Sequence, residues 1–208
     1  MLISAELRWF WREKLPPGLE QWFRSGTLAP GGGSSRDDEY LADPLQRELG
    51  VKRRSGKAGV EIKGLVEVRA ALPEPFSGRV QIWAKWTSHA ITIDHVPRTV
   101  VRKTRWLRKY DTSGSAVHEL ELDAYEQLLD SVATLPERGC NLELVALTIG
   151  DRDVRWWTFG FEAFGPLDTV ERSLHRVIAH VPPIGRGALA EGMELSYPDW
   201  LSTARSQV

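Results

Sequence analysis

Along residues 2–13 apolar and polar side chains alternate. Ala5, Leu7, Trp9 and Trp11 share one face and Ser4, Glu6, Arg8, Phe10 and Arg12 the other, the period of two that defines a strand. Pro16-Pro17-Gly18 ends it, and Leu19, Trp22 and Phe23 have the spacing of a short amphipathic helix. Residues 29–38 are rich enough in Gly and Ser to read as a flexible surface loop, followed by a short strand near Glu39–Ala42. Residues 49–54 and 59–70 read as two strands joined by the turn at 55–59; in the second, Val60, Ile62, Val66 and Val68 oppose Glu61, Lys63, Glu67 and Arg69. Residues 78–87 repeat the pattern, a longer extended stretch covers 90–108 with Pro97 at a bulge or edge position, and 115–122 alternate again.

Asp123 with Glu126 three residues on predicts a capped helix whose stripe is Tyr125, Leu128, Leu129, Val132 and Leu135, ended by Pro136. Strands at 140–149 and 153–164 flank the turn Gly150-Asp151-Arg152. A further helix starts near Asp168, with Glu171 completing a second capping box, and stops at Pro182-Pro183. Eight or nine strands on short turns, with two or three helices, predict antiparallel neighbours and an α+β fold, in a single domain over residues 1–208.

Strand after strand carries a charged face, and two arrangements satisfy that. An open antiparallel sheet would turn its apolar face to helices and its charged face to water. A closed barrel of about eight strands would instead enclose the charges, which is strongly unfavourable unless they pair, stay hydrated or meet a counter-charged ligand. Basic residues outnumber acidic ones on those faces, although the whole chain is balanced, with 27 Lys and Arg against 28 Asp and Glu. Arg8, Lys52, Arg54, Lys63, Arg79, Lys85, Lys103 and Arg105 are therefore candidate anion-binding residues, because a positive channel with a few carboxylates suits a polyphosphate with its metal.

The order of these features resembles the CYTH superfamily, the triphosphate tunnel metalloenzymes. The similarity runs from the first strand to the last helix and is carried by Glu6-Leu-Arg8, Lys52-Arg-Arg54, Glu61-Ile-Lys63-Gly64, Lys103-Thr-Arg105-Trp106 and Glu119-Leu-Glu121-Leu122. The resemblance implies an eight-stranded antiparallel barrel with two or three flanking helices, enclosing a tunnel. It implies triphosphate contacts from Lys52, Arg54, Lys63, Lys103 and Arg105, and Mg²⁺ or Mn²⁺ held by Glu6, Glu119 and Glu121. Metal-dependent hydrolysis of a triphosphate compound, with Glu6, Lys63 and Arg105 as catalytic residues, is the expected activity. The alternative is a non-catalytic module binding a polyanion or nucleotide. The family's Glu-x-Glu-x-Lys signature reads Glu6-x-Arg8-x-Phe10 here, so a metal would have to use Glu61 or Glu143 instead, or catalysis is lost.

Other chemistry finds little support. The 208 residues are 42% hydrophobic and 26% charged, with no apolar run long enough to cross a bilayer. Met1–Arg8 has neither a basic leader nor a long apolar centre, and Cys140 is the lone cysteine, so a cytoplasmic location and a core role for Cys140 are expected. His89, His95, His118, His175 and His180 have no zinc spacing, Gly31-Gly32-Gly33 is not followed by Lys-Ser/Thr, and no Gly-x-Ser-x-Gly elbow occurs. The basic run 102–109 lies on a strand that splits its charges between two faces, which argues against nucleic acid. Nine tryptophans, most in strands, suit sheet packing and allow a homodimer through exposed barrel walls.

Overall fold

Strand β1 (Leu2–Arg12) is the seam of the fold in this computed structural model, which describes residues 1–41, 47–129, 134–185 and 187–206. β1 pairs along most of its length with β9 (Arg155–Gly165), from Ile3↔Gly165 to Arg12↔Trp156. On its other edge the first half, Leu2 to Glu6, pairs with β5 (Gly78–Ser88), while Trp9 and Phe10 pair with the two-residue β10 (Met193–Glu194). From β5 the wall continues through β4 (Val60–Leu72), β3 (Leu49–Arg54), β2 (Gly31–Leu41), β6 (Arg98–Asp111) and β8 (Gly139–Ile149) back to β9. Every pairing is antiparallel, so eight strands close into a barrel. β7 (His118–Leu120) and β10 are additions to β6 and β1. The charged faces therefore point inward, and the enclosed arrangement is the one this chain adopts.

The main apolar core lies outside the barrel. Leu7 and Trp9 of β1, Val80 and Ile82 of β5, Leu142 and Leu144 of β8 and Phe159 and Phe161 of β9 meet α1 (Leu19–Arg24) and α2 (Leu167–His180). The helices contribute Leu19, Phe23, Val170, Leu174 and Val177, all buried. Each such side chain removed from water stabilises the fold by about 1.5–3 kcal/mol. Cys140 is a member of this core, and burial pushes its thiol pKa up.

A second core sits inside the barrel at one end. Phe10, Val101, Leu147, Ile149 and Trp156 point inward there and are covered by Trp200, Leu201 and Ala204 of α3 (Tyr197–Ser206). Phe10 stacks on Trp200 with ring centroids 5.2 Å apart and planes 8° from parallel. The interior is thus closed at the Phe10 end and opens at the Leu2 end.

Four expectations change. Residues 31–41 are strand β2 rather than a loop: a Cβ on Gly31 would stand 2.5 Å from the Leu122 Cβ, and one on Gly32 2.4 Å from the Arg105 carbonyl oxygen, so side chains are excluded where a neighbouring segment crosses the wall. No helix begins at Asp123. Its carboxylate accepts from the backbone N–H of Tyr125 and Gln127, Leu122 bridges to Leu128, and Tyr125, Leu129 and Leu135 are exposed, a local turn that competes with the helix. Val132 lies outside the described residues. Residues 89–97 form turns anchored by buried Ile93, and β6 starts just after Pro97. α2 takes Pro166 as its N-cap with no side-chain cap bond, so Asp168 sits within its first turn.

Candidate functional site

The inward face of the barrel surrounds a cavity of about 510 Å³ reached from the Leu2 end. Its wall carries eight Lys and Arg side chains against Glu6, Glu61, Glu143 and Glu162, an excess of four positive charges in a chain whose formal net charge is −1. Asp38, buried just behind, lowers that excess by one. The remainder of the molecule is correspondingly acidic, so positive charge is gathered inside.

One group of charges spans β1, β4, β5 and β9. Lys63 Nζ donates to Glu6 Oε2 at 2.5 Å, Lys85 Nζ lies 2.7 Å from Glu6 Oε1, and Lys85 also donates to Glu162. Ser4 Oγ donates to Glu6 Oε1 at 2.8 Å, and Lys63 Nζ sits 4.3 Å from the Trp83 ring centroid. Burial raises the Glu6 pKa, but Lys63, Lys85 and Arg8 outweigh it and hold the carboxyl well below its usual range. Burial lowers Lys63 to about 8, helped by repulsion from Lys85 and opposed by Glu6 and Glu162.

A second group joins β1, β8 and β6. Glu143 accepts from Arg8 Nη2 at 2.7 Å through one oxygen and from Arg105 Nη1 at 2.6 Å through the other, and Arg105 also reaches Glu126. Arg8 starts on β1 and ends on β8, so it must cross β9, and it does so at Gly160. A Cβ there would lie 3.1 Å from both Cβ and Cγ of Arg8. Burial favours the neutral forms of this pair, but each partner's charge prevails, keeping Glu143 acidic and Arg8 cationic.

The opposite wall is built on β2, β3 and β6. Asp38 lies 3.2 Å from Lys52 Nζ and 3.1 Å from Lys103 Nζ; Lys103 donates to the Tyr40 hydroxyl and packs 4.1 Å from the Tyr197 ring. Lys52 and Arg54 hold Glu61 at 3.1 and 3.3 Å. Burial, with repulsion from Lys52, pushes Lys103 well below its ordinary pKa despite Asp38.

Three guanidinium Nε atoms in the wall of this cavity lack a hydrogen bond. The buried Nε atoms of Arg8, Arg36 and Arg54 make no hydrogen bond, although Arg36 and Arg54 stand 3.5 and 3.3 Å from Asp38 and Glu61 oxygens in poor alignment. A buried donor without an acceptor is costly, and these three atoms have no surface open to the cavity, so it is the charge of the side chains, not these N–H groups, that faces the space.

Of the residues singled out by sequence, Glu6, Arg8, Lys52, Arg54, Lys63, Lys85, Lys103 and Arg105 converge on the cavity. Arg79 does not: it is largely exposed and lies 3.6 Å from Glu194. Glu119 pairs with Arg108 at 2.6 Å, on Arg108's side of β6 facing the outer core, and Glu121 is exposed. Arg36, Glu126, Glu162, Tyr40 and Tyr197 complete the site. The alternation with Glu162 signals that residue, whereas Arg36 lies in the segment that reads as a loop and Glu126 in the one that reads as a capping box.

A divalent ion does not fit this donor set. Glu6, Glu119 and Glu121 are not brought together, Glu61 and Glu143 are already paired to cations, and among the described residues no group of three His, Cys, Asp or Glu side chains converges as a cation site. No described helix is long and apolar enough to cross a membrane.

Neither the protein-family models nor the curated proteins contain a match to this chain. What the fold and the cavity define is a class: a closed antiparallel barrel, blind at one end, with an inward cationic surface.

Proposed function

We propose that the barrel binds a compact polyanion of the triphosphate class, inserted through the Leu2 end. The observation that carries this reading is the cavity wall itself, where eight Lys and Arg side chains meet four Glu, a formal excess of four positive charges that Asp38 lowers to three. Arg offers a planar fork and Lys a point charge to phosphate oxygens, and both kinds surround the cavity. A CYTH-like assignment is supported by the fact that Lys52, Arg54, Lys63, Lys103 and Arg105, the residues that carry the resemblance, all border this one space. Binding is favoured over hydrolysis because each tunnel carboxylate is already committed to a Lys or Arg.

Thermal unfolding with tripolyphosphate, ATP and sulfate tests the proposal. Tripolyphosphate at a hundred times its Kd is expected to stabilise the protein by about 2.7 kcal/mol. Arg36→Gln and Arg54→Gln should each weaken binding about tenfold, the loss of one charge-assisted hydrogen bond. No shift with any polyphosphate would sink the reading, and phosphate release would replace binding by hydrolysis.

Affinity should also fall as pH rises. In the free protein Lys63, facing Glu6, Lys85 and Glu162, loses its proton at about 8. A bound anion favours the charged form, so binding is strongest below that value and takes up a proton above it. Calorimetry at pH 7 and pH 9 is expected to show binding about tenfold weaker at pH 9, and Lys63→Arg, which stays charged, should flatten that part of the profile.

A further inference from the structure

We infer that this cavity takes its polyanion free of divalent metal, with the Arg8 guanidinium supplying the positive charge that a metal ion would bring. The inference rests on the polyanion reading above and deepens it.

Glu6, Glu143 and Glu162 are the carboxylates on the β1, β8 and β9 wall. Five of their six oxygens hold donors: Ser4 and Lys85 on one oxygen of Glu6, Lys63 on the other, Arg105 and Arg8 on the two oxygens of Glu143, and Lys85 on one oxygen of Glu162. A cation seated among them would have to displace a buried ammonium or guanidinium and would be repelled by those that remained. The local backbone is shaped for Arg8 as well. Gly160, its cross-strand neighbour on β9, leaves the gap through which the side chain passes, and the Arg8 guanidinium carbon lies 4.9 Å from the Tyr197 ring centroid. With Nη2 on Glu143 and Nη1 near Thr158, Arg8 keeps Nε without an acceptor and lines the cavity. Because Arg8 lines the cavity, its positive charge stands beside a bound anion with no ion between them.

A phosphate compound complexed to Mg²⁺ offers fewer free oxygens and less charge than the uncomplexed anion, so the two forms are discriminated. Calorimetry of tripolyphosphate against the intact chain is run once in EDTA and once in excess Mg²⁺. Binding at least tenfold tighter in EDTA is expected. Equal or tighter binding in the Mg²⁺ buffer overturns the inference while leaving the polyanion reading in place. No binding in either buffer removes both. Arg8→Gln should weaken the EDTA binding at least tenfold. Should that variant fail to fold, Mn²⁺ titrated into the unaltered protein and followed by EPR decides the matter. An undiminished free-ion signal is expected, and a stoichiometric loss of signal that Glu6→Gln abolishes overturns the inference.

Discussion

Glu143→Ala is expected to destabilise the protein by about 3–5 kcal/mol, the cost of leaving a buried charge without its partner. The side chains of Arg8 and Glu143 are only 3% and 4% exposed, and among the described residues Glu143 is the carboxylate paired directly with both Arg8 and Arg105. Its removal leaves Arg8 with Thr158 at 3.5 Å and sets two guanidinium groups against each other across the vacated space. Urea unfolding measures the loss. The double substitution Arg8→Met with Glu143→Leu removes both charges and should recover most of it, since a buried ion pair exchanged for apolar side chains of similar volume is often neutral. A cost below about 1 kcal/mol for Glu143→Ala would mean that water reaches the pair as it does at a surface bridge. The same pair shapes acid behaviour. Although burial raises the Glu143 pKa, Arg105 and Arg8 hold it far below 4.5, so the unfolded chain takes up its proton first as pH drops. The resulting stability is complete above that ordinary value and declines as pH falls towards the folded one. Glu143→Ala should be flatter over this range.

Trp200→Ala is expected to cost about 3–5 kcal/mol, the range for deleting a large aromatic side chain from a core that cannot collapse around the gap. Trp200 is wholly buried, stacks on Phe10, and meets the edges of Trp156 and Tyr197 at 6.0 Å each. The barrel strands around it are held by their ladders and have little freedom to close in. Trp200→Phe should lose much less than its volume change suggests, because the indole N–H of Trp200 is itself buried without an acceptor. Thermal and urea unfolding of both variants check this, and near-equal losses for Ala and Phe would show that the ring's bulk is not what fills the barrel end.

The strands were readable because alternation survives closure: Glu6, Arg8 and Phe10 share a face in the bare pattern, and that face is the barrel interior. What alternation leaves open is whether the charged face meets water or itself, since that depends on β1 finding β9 across most of the chain length. Glycine misleads in β2 because the same residues that loosen a loop also allow close crossing, as at Gly31 against Leu122. Asp123 and Glu126 have the spacing of a cap, yet Glu126 is drawn to Arg105, and a local pattern carries no information about so distant a cation. Helix α3 had its own signal. Tyr197, Trp200, Leu201 and Ala204 fall at helical spacing, and Ser196 accepts from the Asp199 N–H at 3.2 Å as a cap. Phe10, which reads as a lost lysine when compared with a family signature, is the floor on which that helix rests. The site residues were legible as charges, but their pairings, above all Arg8 with Glu143 across a glycine, depend on three strands meeting.

Because α3 fills one end, the barrel is a socket and not a pipe. Whatever goes in must come out by the same door, so a second molecule cannot follow until the first has left. A linear chain can present only its tip, and every unit beyond the depth of the socket stays in water, touching nothing inside. A grip formed inside such a socket stops growing with chain length once the socket is full.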